Sequence, residues 1–128
     1  MLLLGGVLGA LGVAMGAFGA HAVKGWLATA DDGALRLAWW HTGAQYHLLH
    51  ALLIVAVGVW ATSYPGGLAR AAGWCAAAGV ALFSGSLYVM ALTNTRWLGA
   101  VTPLGGVAFL AAWLLVVAGA WRDRTPQT

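Results

Sequence analysis

The sequence predicts an all-α integral membrane protein, a four-transmembrane-helix bundle. Two observations carry this: the chain is 62% apolar with only 7% charged residues, and its charges fall at intervals that leave long uninterrupted apolar runs. A soluble domain carries about 25% charged residues. The nine charges are Lys24, Asp31, Asp32, Arg36, Arg70, Arg96, Arg122, Asp123 and Arg124. They bound the charge-free runs 1–23, 37–69, 71–95 and 97–121. Each run accommodates ~20 apolar residues, which as a helix crosses a ~30 Å hydrocarbon layer. Only helices and closed barrels satisfy their backbone polar groups in lipid, and continuous rather than alternating apolar runs exclude the barrel. A soluble bundle of buried helices fails because so short a chain has nothing left to cover them.

The four spans are placed at about 2–20, 33–60, 68–92 and 103–121 within a single domain. Ala20-His21-Ala22 has the small-x-small form of a signal cleavage site, but the first run lacks a basic leading segment and is long, so it reads as a membrane helix. Gly5, Gly9, Gly12 and Gly16 give that helix GxxxG-type spacing, a surface for close approach of another helix. The expected partner is a helix of the same chain, with a homo-oligomer or a larger membrane complex as the alternative. Ala22 to Asp32 reads as a loop, with Asp31 or Asp32 as N-cap of the second helix. Arg36, Trp39 and Trp40 are expected at the headgroup level. Tyr64-Pro65-Gly66-Gly67 is a turn and Thr93 to Arg96 a polar loop. Thr102-Pro103 reads as N-cap and first position of helix four, and Arg122 to Thr128 as a polar tail. Three cations fall on each side, so the positive-inside rule gives no bias; termini in the cytoplasm is the working expectation.

A net charge of +3 spread over loops is not a basic stripe, so nucleic acid is not an expected partner. Membrane lipids are. Cys75, the one cysteine, reads as a small buried hydrophobe.

The polar residues cluster by depth. His21 leaves helix one; His41, Gln45, Tyr46, His47 and His50 enter helix two; Ser84, Ser86 and Tyr88 leave helix three; Thr102 enters helix four. All are assigned to the half of the bundle away from the termini. At 100° per residue, Arg36, Trp40, Gly43, His47 and His50 share a face of helix two, and Ser84 and Tyr88 share one on helix three. A polar face in a membrane helix points inward or into a wet cavity. The spacing therefore predicts His47 and His50 opposite Ser84 and Tyr88. His21, Tyr46, His47, His50, Ser84, Ser86, Tyr88 and Thr102 form the candidate ligand-binding or polar-core set.

Several chemistries could use that set. His47 and His50 supply two metal ligands at i,i+3 but do not complete a site, so no metal is expected. Haem would need axial ligands such as His21 with His47. A quinone or lipid headgroup needs an aromatic slot with a few hydrogen-bonding groups, which suits His, Tyr, Ser and Trp better. No cofactor is predicted, with quinone and haem as alternatives. Histidine could serve a proton path, but the spans contain no Asp, Glu or Lys, which argues against a pump. No nucleophile–base–acid set points to an enzyme. The structural readings are backbone or interhelix bonds for Ser84 and Ser86, interface anchoring for Tyr88 and the tryptophans, and a helix C-cap for His21.

Four segments then carry a resemblance: Gly16-Ala17-Phe18-Gly19-Ala20-His21-Ala22, Tyr46-His47-Leu48-Leu49-His50-Ala51-Leu52, Phe83-Ser84-Gly85-Ser86-Leu87-Tyr88 and Thr102-Pro103-Leu104-Gly105-Gly106. In this order, over essentially the whole chain, they resemble the family called domain of unknown function 423. These are small bacterial inner-membrane proteins similar to animal transmembrane protein 256. The resemblance implies four spans and a bacterial inner-membrane location, and it supplies no activity. Family members often carry Gln where this chain has His47, which makes His50 the preferred functional candidate.

Overall fold

The computed structural model describes residues 1–64 and 66–122, and among them there are helices and turns but no strand. Pro65 of the predicted turn and the predicted tail beyond Arg122 lie outside the described residues. Four helices are long and apolar enough to cross a membrane: α1 (Leu2–Leu27), α2 (Gly33–Ser63), α3 (Gly67–Thr93) and α4, whose span Arg96–Arg122 opens with a 3₁₀ turn, Arg96–Ala100.

α1 is longer than the sequence reading allowed. Where a loop from Ala22 was expected, the chain makes a π turn over Gly19–Val23 and continues as helix to Leu27. His21 therefore lies inside the helix and does not cap it. The physical reason is Trp40: its ring occupies the space beside Gly19, where a Cβ would come within 2.6 Å of the indole. Its N–H donates to the Met15 carbonyl at 2.7 Å, one turn before the widened segment. Trp40 is thus buried against α1, not anchored at the headgroups. The link to α2 is tight because Gly33 lies directly on the Leu27 carbonyl, where any side chain would collide.

Asp32 occupies the N-cap position of α2 without a side-chain cap bond. Its carboxylate turns instead to Arg36 (3.6 Å) and Arg96 (3.1 Å). Thr102 opens the α-helical part of α4, but its hydroxyl meets the Leu98 carbonyl at 3.3 Å and Ser86 at 2.8 Å. α3 ends at Asn94 in the left-handed conformation (φ 56°), its N–H returning to the Met90 carbonyl, a conformation Asn tolerates better than most residues.

Packing is sequential: α1 lies along α2, α2 along α3, and α3 along α4. Glycines at intervals of seven set the first seam. Gly5 faces Val55, Gly12 faces Leu48 and His47, and Gly19 faces Trp40. Seven residues return to nearly the same side of a helix, so α1 and α2 touch along their length as an intramolecular small-residue contact. Gly9 and Gly16, the other half of the glycine pattern, have open space where a Cβ would go. On the α3–α4 seam, Phe109 covers Gly79, and the Phe83 backbone lies against Gly105. α3 carries its own π turn there, Val80–Ser84. The core divides into an apolar cluster near the termini, around Ile54, Val57, Ala72 and Ala112, and a second around Trp40, Ala44, Tyr88 and Ala91.

Candidate functional site

The candidate residues do not form one site. The structure separates them into three groups, each at a different helix seam.

The first group is His47, Tyr88 and Trp40, between α1, α2 and α3. His47 Nδ1 and the Tyr88 hydroxyl are 3.2 Å apart, and Trp40 packs on Tyr88 with ring centroids 4.7 Å apart. His47 Nε2 has no hydrogen-bond partner, although the Leu8 backbone of α1 lies beside it. A neutral imidazole offers one donor and one acceptor at opposite ends. If the Tyr88 O–H donates to Nδ1, Nε2–H faces the Leu8 carbonyl, and the ring links α3 to α1 across α2. Ser84 lies a turn from Tyr88 and is fully buried, with its carbonyl facing Gly43 and its hydroxyl unpartnered.

The second group is aromatic and lies between α2, α3 and α4. His50 turns away from Ser84 and Tyr88 and stacks on Phe109, centroids 3.5 Å apart and planes 13° apart. This corrects the sequence expectation that placed both histidines opposite the same pair. His50 Nδ1 lies 2.8 Å from the Tyr46 carbonyl, so this nitrogen carries the proton and donates. Nε2 then accepts the indole N–H of Trp113 at 3.3 Å. Both ring nitrogens of a neutral imidazole are engaged. Tyr46 packs against Phe83 with ring centroids 4.7 Å apart and planes tilted by 40°, and is 40% exposed. His50 lies about 26 Å along α2 from Gly33 and about 20 Å from Ser63, near the middle of the helix, not toward its polar end.

The third group is a clip. The Ser86 hydroxyl bonds the Phe83 carbonyl at 2.9 Å and Thr102 at 2.8 Å, joining α3 to α4. His21 joins none of the three. It is exposed, and its proposed haem partner His47 packs instead beside Gly12, about 13 Å earlier along α1. Among the described residues no three His, Cys, Asp or Glu side chains gather as a metal site.

The sequence reading missed Arg36 as a structural residue. Its Nε and Nη2 donate at 2.8 Å to the Ala91 and Leu92 carbonyls, closing the C-terminus of α3. Its guanidinium also lies 5.4 Å from the Trp26 ring centroid. A cation complements the negative end of a helix. The available signal was that Arg36 sits in the first turn of its own helix, where a positive charge is disfavoured, four residues after Asp32. Slight loss of solvent pushes the Asp32 carboxyl up, but the Arg96 hydrogen bond and the charges of Arg36 and Arg96 outweigh it and hold the group below its ordinary value.

α2 and α4 do not pack along each other, and an open groove runs between them. One cleft of about 460 Å³ is lined by Tyr46, His50, Phe83, Phe109 and Trp113. A second of about 440 Å³ is lined by Leu53, Val57, Trp60 and Val116. Leu49 and Trp113 border both. No charged side chain lines either cleft.

Four apolar spans, polar groups spent on helix seams and a lateral apolar groove define a small polytopic integral membrane protein. The profile of the family described as "Protein of unknown function (DUF423)" matches residues 15–106, and the chain belongs to that family. It is 45% identical over 120 residues to "UPF0382 membrane protein YwdK" of Bacillus subtilis, covering 93% of this chain and 94% of the relative. To "UPF0382 inner membrane protein YgdD" of Escherichia coli K12 it is 38% identical over 133 aligned positions, covering 95% and 89%. A relative in Staphylococcus saprophyticus, "UPF0382 membrane protein SSP2132", is 36% identical, covering 94% and 96%. No solved structure matches. The chain is an integral protein of the bacterial cell membrane.

Proposed function

We propose that this is a non-enzymatic, lipid-organising membrane protein that seats hydrocarbon chains in the groove between α2 and α4. The observation that supports the reading is the pair of adjoining apolar clefts sharing Leu49 and Trp113, open on the side that lipid occupies. The commitment of His50 to the Tyr46 carbonyl and Trp113 favours a supporting role over a reactive one. With both nitrogens engaged, the ring holds Trp113 and Phe109 as walls of the cleft.

The test is native mass spectrometry of the full chain released from nanodiscs, comparing wild type with the groove-filling variants Leu49→Trp and Gly106→Leu. The reading expects lipid adducts that survive release from wild type and are lost from folded variants. A wild-type protein that emerges free of lipid would sink it.

A second reading, an accessory subunit docked through α1, is favoured by Gly9 and Gly16, whose outward side is open. Cysteine crosslinking from those positions to a second copy or another membrane protein tests it.

A further inference from the structure

We propose that the depression between the end of α1 and the start of α2 binds the headgroup of a zwitterionic phospholipid of the phosphatidylethanolamine class, with Lys24 on the phosphate and Asp31 on the ammonium. This site is separate from the groove between α2 and α4, and it goes beyond the lipid-organising reading.

Five charged residues gather at the end of the bundle away from the termini: Lys24, Asp31, Asp32, Arg36 and Arg96. Three of them are tied to one another. Asp32 holds Arg36 at 3.6 Å and Arg96 at 3.1 Å, and Arg36 also closes the C-terminus of α3. Lys24 and Asp31, one of each sign, are left over. Among the described residues neither side chain makes an ion pair or hydrogen bond, with the other or with anything else. Both are exposed, and both line a single depression of about 350 Å³. Two opposite charges that share a depression without touching suit a ligand that carries both signs at a separation.

The order of the charges identifies that ligand. Trp26 and Trp97, both exposed, place this end at headgroup depth. Lys24 opens the last helical turn of α1, Lys24–Leu27, and lies about 4.5 Å deeper than Leu27. Asp31 stands outside both helices, in the link before Gly33. Leu27 and Leu37 give the same depression an apolar side. From the membrane outward the wall is thus apolar, then cationic, then anionic. Phosphatidylethanolamine presents acyl ester, then phosphate, then ammonium, so each level meets its complement. Phosphatidylglycerol has no cation for Asp31, and a quaternary ammonium has no N–H to donate to a carboxylate. The link that carries the pair is held in place. The Ala30 N–H donates to the Leu27 carbonyl at 3.1 Å, the Gly33 N–H donates to the Ala30 carbonyl at 2.9 Å, and Gly33 itself rests on the Leu27 carbonyl. Little ordering is then left to oppose binding.

The experiment uses the full chain in nanodiscs made from equal parts phosphatidylethanolamine and phosphatidylglycerol, with retained lipid identified by native mass spectrometry. Wild type is expected to retain phosphatidylethanolamine about threefold over phosphatidylglycerol, the scale of one exposed ion pair. Asp31→Asn is expected to lose the preference, because Lys24 then meets the phosphate of either lipid. The exchange Lys24→Asp, Asp31→Lys keeps the net charge but reverses the order of signs, and is expected to lose it as well. A second measurement needs no variant. A carbodiimide condenses a carboxylate with an adjacent amine, so it should join Asp31 to phosphatidylethanolamine as an amide found by peptide mapping. The groove-filling variants Leu49→Trp and Gly106→Leu should keep that amide. No preference in wild type, a preference that survives in either charge variant, or no amide at Asp31 overturns the proposal and leaves the groove reading standing. Loss of the amide in the groove-filling variants would assign the lipid to the groove and overturn it too. So would retention of soluble phosphoethanolamine in nanodiscs of phosphatidylglycerol alone, which would make a free zwitterion the ligand.

Discussion

His50 accepts the Trp113 indole N–H at 3.3 Å while its other ring nitrogen faces the Tyr46 carbonyl at 2.8 Å. This fixes the imidazole as neutral and ties α4 to α2 across the groove between them. Trp113→Phe keeps the ring but removes the donor, and is expected to cost about 0.6–1.7 kcal/mol, the range for interhelical hydrogen bonds in membranes. His50→Ala also removes the stack on Phe109 and leaves a cavity, so about 2–4 kcal/mol is expected. Reversible unfolding in mixed micelles measures both. Equal losses would show that the hydrogen bond, not the packing, carries the joint.

His47 presents an acceptor toward Tyr88 and a donor toward α1. Gln has both at comparable reach, whereas Leu fills the volume and has neither. His47→Gln is therefore expected to remain within about 0.5 kcal/mol of wild type. His47→Leu leaves the buried Tyr88 hydroxyl without its partner and should cost about 1–3 kcal/mol. The same unfolding measurement separates them, and equivalence of the two variants would remove the bridging role.

The glycines of α1 divide by function. Gly12→Ala and Gly19→Ala push a methyl into Leu48 and Trp40 and should destabilise by about 1–3 kcal/mol. Gly9→Ala and Gly16→Ala meet open space, so they should be neutral or gain up to about 1 kcal/mol from helix propensity. Destabilisation by the second pair in a monomeric preparation would contradict the seam described here.

Arg36 and Asp32 give a pH signature. Because the folded-state Asp32 carboxyl is held below its ordinary value, its contribution is fully present above about pH 4. It is lost as the pH falls through the lower folded value. A stability profile should therefore be flat for this joint from neutrality to about pH 4 and fall below it, and Asp32→Asn should flatten that fall. Arg36→Lys cannot reproduce the two carbonyl bonds with one ammonium and should increase hydrogen exchange at the C-terminus of α3.

Charge placement made the four spans legible, because nine charges in 128 residues leave few ways to draw segments that can sit in lipid. The candidate site was legible in composition but not in arrangement. A uniform 100° step assigns His50 a face on α2, yet nothing in one helix's sequence says which neighbour occupies that face. The answer is α4, because α4 packs on α3 and overhangs α2. The step is also not uniform in α3. The π turn Val80–Ser84 inserts a residue and rotates the segments on either side relative to each other, so positions cannot be projected through it. Trp40 was misplaced for a related reason. Tryptophan at a helix end suggests the headgroups, and only the notch at Gly19 shows room for it inside.

The seam between α1 and α2 is set by contacts within the first half of the chain, and that between α3 and α4 by contacts within the second. This order of packing has a consequence for biogenesis. The first hairpin can close as soon as α2 leaves the insertion machinery, before the second half has been synthesised. The His47–Tyr88 contact, and with it the cap that Arg36 places on α3, joins the two hairpins and waits only for α3. Two separately translated halves, divided at the Tyr64–Gly67 turn, should accordingly find each other in the membrane and co-purify.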